Sequence, residues 1–261
     1  MTSSTSGTTF ISNLAAYGSA PALIWHNVTY TYEELLTNIT HWRTQLAHIP
    51  AGSIVILESD FSPHTIAILL VLIERNTIVV PLDISHQDKN IAKAEIAQPD
   101  YRIKVISEDQ IEVSAVADYP EKNDLYHTVQ ERQTPGLVLF TSGSSGKPKG
   151  ALHDFAKLLS KFEVRRKALR TVNFLLFDHW GGLNTLFHIL SNGGTVVILE
   201  NRSPNYVCEM IAKHQVALLP TSPTFLNMLV MSRAYDRHDL SSLSVISYGA
   251  EPMPASLLEH L

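Results

Sequence analysis

GLVLFTSGSSGKPKG, residues 136–150, is the stretch on which the reading of this chain turns. The apolar run from Leu137 to Phe140 reads as a buried strand, and a loop of glycines and small hydroxyl residues follows at once. Gly143 and Gly146 tolerate positive φ, so the backbone can turn its N–H groups inward and form a concave anion site. Thr141, Ser142, Ser144 and Ser145 add hydroxyl donors around that concavity. Lys149 adds a point charge, and Pro148 stiffens its approach and keeps Lys147 extended. The chemistry suits a polyphosphate.

Two other readings compete. A Gly/Ser linker does not normally follow a buried strand and end in Lys-Pro-Lys-Gly. A P-loop needs two glycines five positions apart and then Lys-Ser/Thr opening a helix. Here Gly143 and Gly146 are too close, and Pro148 stands where the metal-binding hydroxyl belongs.

The 261 residues suffice for one large domain or two smaller ones, and 45% hydrophobic with 17% charged residues describes a globular chain. A net charge of −5 argues against generic nucleic-acid binding. The single cysteine, Cys208, excludes an internal disulfide, fits a reducing cytoplasm and is assigned no catalytic role. No apolar run reaches membrane-spanning length, and residues 1–9 read as a frayed tail.

Outward from the central stretch the pattern alternates between strand and helix. A hairpin is expected over Ala22–Trp25 and Val28–Tyr30, turning at His26-Asn27. Thr31 to Glu34 is a capping box ahead of a helix carrying Leu35, Ile39 and Trp42. Strands follow over Ile54–Leu57, Thr77–Leu82 and Arg102–Ile106, separated by helices from Pro63 and over 86–97. Asn76 is placed to end the first of those helices in the left-handed region. Residues 108–134 read as a surface connection with one short strand near Ile111–Val116. Beyond the glycine loop, a helix is expected over 153–170, with Lys161, Arg165, Arg166, Lys167 and Arg170 as a solvated cationic end. Strands then follow over Val172–Phe177, Thr195–Leu199, Val216–Leu219 and Leu243–Ser247. This alternation predicts an α/β fold with mostly parallel sheets flanked by helices. We divide it into subdomains at 10–134 and 135–261.

Thr141 to Gly150 resembles the phosphate loop of the adenylate-forming enzymes, the ANL superfamily. Its members include acyl- and aryl-CoA synthetases and other AMP-dependent synthetases, peptide-synthetase adenylation domains and luciferases. Val28 to Leu35 and Val79-Val80-Pro81-Leu82-Asp83 are similar to further signatures of the family. The resemblance covers roughly residues 20–261 and implies a layered α/β/α/β/α domain. It also implies that Thr141–Gly146 and Lys149 hold the β- and γ-phosphates of ATP, with Mg²⁺ carried on the nucleotide beside Thr141.

His179, with Gly181, Gly182 and Leu183, resembles the segment that acyl- and aryl-CoA synthetases set beside the substrate carboxylate. On its own, a histidine at a strand end is an ordinary hydrogen-bonding residue. Phe177-Asp178 opens the rival reading, since peptide-synthetase domains use Asp there to hold an α-amine. Counting forward to Gly193-Gly194 favours the acyl register and hence an acid without an α-amine. Tyr248-Gly249-Ala250-Glu251-Pro252 is similar to the segment whose backbone packs on adenine, which assigns Gly249, Ala250, Glu251 and Pro252 to the base.

The resemblance implies ATP-dependent activation of a carboxylic acid as an acyl-adenylate, with loss of pyrophosphate. Transfer to the thiol of CoA or of a carrier protein's phosphopantetheine would follow. The family's later Mg²⁺-binding Glu, ribose-binding Asp, hinge and mobile domain with its catalytic Lys have no match here. The sequence therefore reads as the N-terminal part of a longer enzyme, inactive by itself. A non-catalytic nucleotide-binding or interaction module, or a different ATP-dependent phosphotransferase, is the reading from another class.

Overall fold

A computed structural model describes residues 6–107, 110–116, 119, 121–142, 147–249 and 251–259. The chain opens with helix α1 (Ser6–Leu14) and the hairpin β1 (Pro21–Trp25) and β2 (Val28–Thr31). Helix α2 (Tyr32–Gln45), strand β3 (Ile54–Ser59), helix α3 (Pro63–Glu74), strand β4 (Ile78–Asp83) and helix α4 (Gln87–Ala97) follow in order. Next come β5 (Tyr101–Ser107), β6 (Gln110–Ala115), α5 (Leu125–Glu131), β7 (Gly136–Ser142), β8 (Pro148–Asp154) and α6 (Phe155–Ser160). The remainder is β9 (Arg170–Asn173), α7 (Trp180–Ser191), β10 (Thr195–Ile198), α8 (Pro204–His214), β11 (Leu218–Thr221), α9 (Pro223–Ser232), β12 (Val245–Tyr248) and α10 (Ala255–Leu258).

Local chemistry sets many of these boundaries. The β1–β2 turn places His26 and Asn27 at φ 47° and 62°, as a two-residue hairpin of this hand requires. Thr31 accepts from the Glu34 amide while the Glu34 carboxylate accepts from the Thr31 amide, so the capping box is complete. Ser62 caps α3 by accepting from the Thr65 amide, and Asn76 ends that region at φ 56°.

Two six-stranded sheets result, ordered β12-β11-β9-β10-β1-β2 and β6-β5-β3-β4-β7-β8. Each is parallel except for antiparallel edge strands: β2 in the first, β6 and β8 in the second. Alternate side chains sort the core into layers. Leu23, Val196 and Ile198 of the first sheet and Val55, Leu57 and Val79 of the second share one buried cluster with Leu69 of α3 and Leu186 of α7. Ile24, Val172 and Val197 face α8 and α9 through Val207, Ile211 and Phe225. Ile54, Ile56, Ile78 and Val80 face α4 and α5 through Ala94, Tyr126 and Val129. The order is α/β/α/β/α.

Several expectations give way to tertiary pairing. The helix expected over 153–170 is confined to Phe155–Ser160. Beyond it the Arg166 amide goes to Asn192 Oδ1 and the Leu169 carbonyl accepts from the Thr195 amide, so that backbone is committed to the sheet junction. The strand expected over Val172–Phe177 pairs only over Arg170–Asn173. The Phe174 carbonyl accepts from Arg202, and the Leu176 carbonyl accepts from the His179 amide. The last two parallel strands begin at Leu218 and Val245, two positions later than expected.

Residues 108–134 contain, besides the expected short strand, helix α5, anchored by Tyr126 donating to the Ala97 carbonyl. Residues 6–9 belong to α1 rather than to a frayed tail; residues 1–5 lie outside the described region. The sheets also do not part at residue 134. β1 and β2 pair into the sheet of β9–β12, while β7 and β8 pair into that of β3–β6.

Candidate active site

The carboxyl ends of both sheets meet, and three contacts join them. Asp60, just past β3, lies 3.3 Å from Arg202, just past β10. Phe61 meets Phe177 edge to face with ring centroids 5.2 Å apart. Lys93 of α4 reaches Asp178, which precedes α7, at 3.1 Å. Carboxyl ends of parallel strands are where α/β proteins place ligands.

The glycine loop lies in the sequence between β7 and β8, which pair as an antiparallel hairpin. Ser142 pairs with Pro148, Thr141 with Lys149 and Phe140 with Gly150. Cross-strand partners present their side chains on the same face, so Thr141 and Lys149 share one face of the hairpin at its loop end. Both residues are exposed. Gly143, Ser144, Ser145 and Gly146 lie outside the described residues, as does the side chain of Ser142.

His179 is the N-cap residue of α7, in extended conformation (φ −114°, ψ 142°), with its side chain making no capping bond. Its carbonyl instead accepts from the amides of Gly182 and Leu183, and the imidazole is exposed. The glycines after it have a steric cause. A Cβ on Gly182 would lie 2.2 Å from the Leu176 carbonyl oxygen, and one on Gly181 would lie 2.6 Å from a Leu175 methyl. Side chains there would push the start of α7 off the segment that precedes it.

Asp178 stands between these parts. One carboxylate oxygen takes Lys93, and the other lies 3.5 Å from His179 Nε2 with no hydrogen-bond partner of its own. The Lys93 ammonium also sits 5.9 Å from the centroid of Phe140 on β7. A single lysine thus touches the hairpin that carries the glycine loop and the loop that carries His179. Nothing in the sequence singled out Lys93, whose helix reads as a plain polar surface.

Gly249 follows β12, with open space within 4 Å of where a Cβ would stand. Ala250 lies outside the described residues. Glu251 accepts from the amide and hydroxyl of Thr224, tying its segment to the first turn of α9. Pro252 and Glu251 help line a cavity of about 650 Å³ against α9.

Cys208 is buried in α8, and that burial pushes its thiol up to about 11, away from a nucleophile's range. Among the described residues, no group of three or more His, Cys, Asp or Glu is arranged to hold a metal ion. None of the described helices is long and apolar enough to cross a membrane. Thr141 beside Lys149 fits a phosphate chain that brings its own Mg²⁺, with one hydroxyl near the ion and one cation near the oxygens.

Comparison with known proteins agrees with the geometry. Nonribosomal peptide synthetase 8 of Aspergillus fumigatus is 23% identical over 265 residues, covering 92% of this chain and 3% of that protein. The acetyl-coenzyme A synthetase of Shewanella baltica is 31% identical over 137 residues, covering 47% of this chain and 21% of that protein. The chain thus spans only a small part of either relative. The inhibitor-bound N-terminal domain of FACL13 from Mycobacterium tuberculosis has the same fold, with a TM-score of 0.78 at 16% identity over 98% of this chain and 72% of that one. The family profile described as AMP-binding enzyme matches residues 10–261, nearly the whole chain, and with this sheet arrangement it settles the assignment: the chain belongs to the AMP-binding, adenylate-forming enzyme family.

Proposed function

We propose that this chain is the nucleotide- and acid-binding part of an enzyme that activates a carboxylic acid as its acyl-adenylate and passes the acyl group to a thiol. The thiol belongs to CoA or to a carrier protein's phosphopantetheine. The observation that carries the reading is the contact of Lys93 with both Phe140 and Asp178, which joins the β7–β8 hairpin to the His179 end of α7.

Bound MgATP supplies an electrophilic α-phosphorus, and the protein's part is placement and charge. Thr141 and Lys149, with the loop they flank, hold the phosphate tail. His179, exposed and free of any capping duty, faces the incoming carboxylate and offsets the repulsion between two anions. Gly181 and Gly182 let that carboxylate approach the start of α7. Gly249, Ala250, Glu251 and Pro252 form the surface for adenine, and the open space at Gly249 leaves room for a flat base.

The count forward from His179 to Gly193-Gly194 supports an acid without an α-amine. One finding favours the rival, an amino-acid-activating domain: the match to a peptide synthetase covers 92% of this chain.

Calorimetry on the 261-residue chain tests the reading. MgATP is expected to bind weakly, and Lys149→Ala to weaken it about tenfold. Octanoyl-sulfamoyladenosine, an acyl-adenylate mimic, is expected to bind and to lose affinity in His179→Ala. Binding of neither compound overturns the proposal. The chain is expected to bind without turning over, so carboxylate-dependent exchange of pyrophosphate into ATP at ordinary enzymatic rates would refute that part.

A further inference from the structure

A cleft of about 500 Å³ opens beside α7 on the inner face of the β9–β12 sheet, lined by Lys161, Arg166 and His188 together with Leu169, Leu218 and Val245. Among the described residues no carboxylate lines it, so three basic side chains surround an apolar floor without an acid to balance them. The helix expected over 153–170 would have spread these cations around its circumference. Because the chain leaves helical form after Ser160, Lys161 and Arg166 both come to one rim. Lys161 is held there by Asn184 Oδ1 and by the ring of Trp180, 5.2 Å away. Arg166 is held through its amide on Asn192.

The cleft has a fixed distance from the candidate carboxylate position. Gly181, Thr185 and His188 share one stripe of α7, and the Thr185 hydroxyl donates to the Gly181 carbonyl at 2.8 Å. At 1.5 Å per residue, His188 lies about 10 Å along the helix from Gly181. An acid whose carboxylate sits at His179 and Gly181 can therefore lay its chain along this stripe over Leu218 and end at the cations.

Resting on the function proposed above, we infer that the acid activated here carries a second anionic group at the far end of an apolar chain. Lys161, Arg166 and His188 receive that group. The substrate class is a medium-length dicarboxylate or an equivalent acid with an anionic tail.

The test compares suberyl- with octanoyl-sulfamoyladenosine, equal in length and differing only in the terminal carboxylate, by calorimetry on the whole chain. The suberyl compound is expected to bind about tenfold tighter, as two exposed charge contacts allow. K161M/R166M keeps apolar stems of similar length and is expected to abolish the preference for the suberyl compound. If that variant fails to fold, the wild-type comparison alone decides.

Octanoyl binding equal to or tighter than suberyl overturns the inference and leaves the proposed function standing. A second readout separates the two ideas, namely the His188 ring signals in an NMR titration with free suberate. If those signals move while neither adenylate mimic binds, the anion cleft stands and acid activation falls. If nothing moves and nothing binds, both fall.

Discussion

At the scale of the residue, two glycines assigned to one site differ in what holds them. Gly182 is demanded by the fold, since its missing Cβ leaves room for the Leu176 carbonyl oxygen that would otherwise lie 2.2 Å away. Gly182→Ala is expected to cost at least about 2 kcal/mol, read from denaturant unfolding, because backbone rather than a flexible side chain must move. Gly249 has open space around it, so Gly249→Ala is expected to change stability by less than about 0.5 kcal/mol while weakening binding of the adenylate mimic. Equal losses of stability in the two variants would contradict this contrast. Lys93 is a third kind of residue. Its contact with Asp178 is mostly sheltered from solvent, so Lys93→Met is expected to destabilise by about 1–3 kcal/mol, and Lys93→Met/Asp178→Leu to recover part of that in a double-mutant cycle. The sequence marked His179 and the glycines because a motif surrounds them. It gave no sign of Lys93, whose role depends on two segments far away in the chain.

At the scale of the element, what could be read in advance was what short-range chemistry decides. The Thr31–Glu34 box, the His26-Asn27 turn, the left-handed Asn76 and the proline-opened helix α3 each depend on a few neighbouring residues. Thr31→Ala removes one half of the box and is expected to lower stability by about 1 kcal/mol, seen as a lower midpoint in urea with unchanged slope. The misread elements are those whose backbone finds a better partner elsewhere. Residues 161–169 carry helix-forming Lys, Arg and Ala, yet the amide of Arg166 and the carbonyl of Leu169 are taken up by Asn192 and Thr195. Helix α5 went unseen because it is short and its two buried residues, Tyr126 and Val129, show too little periodicity to stand out. The glycine loop was legible by composition, and the hairpin register that sets Thr141 beside Lys149 was not.

At the scale of the whole molecule, acid sensitivity follows from two histidines. Burial, reinforced by Arg166 and Lys161, holds His188 below the usual imidazole value, and burial with Lys213 and Arg170 does the same for His214. Below pH about 6.5 the unfolded chain takes up protons at these positions that the folded chain resists, so stability falls as pH falls. Melting temperature is expected to decline between pH 7 and 5.5, and His188→Gln/His214→Gln to flatten that slope. An unchanged slope would assign the decline to other groups. The exchange of strands between the sheets has a consequence for synthesis. Leu23 of β1 has its parallel partner in Val196 of β10, so the first hairpin leaves the ribosome long before the strand it must join has been translated. At ordinary elongation rates that wait is roughly ten to thirty seconds, during which the apolar residues Ala22, Leu23 and Ile24 are without their final cover. A nascent chain arrested at residue 135 is therefore a ready client for a chaperone, and its β1 becomes protease-resistant only after β10 has emerged.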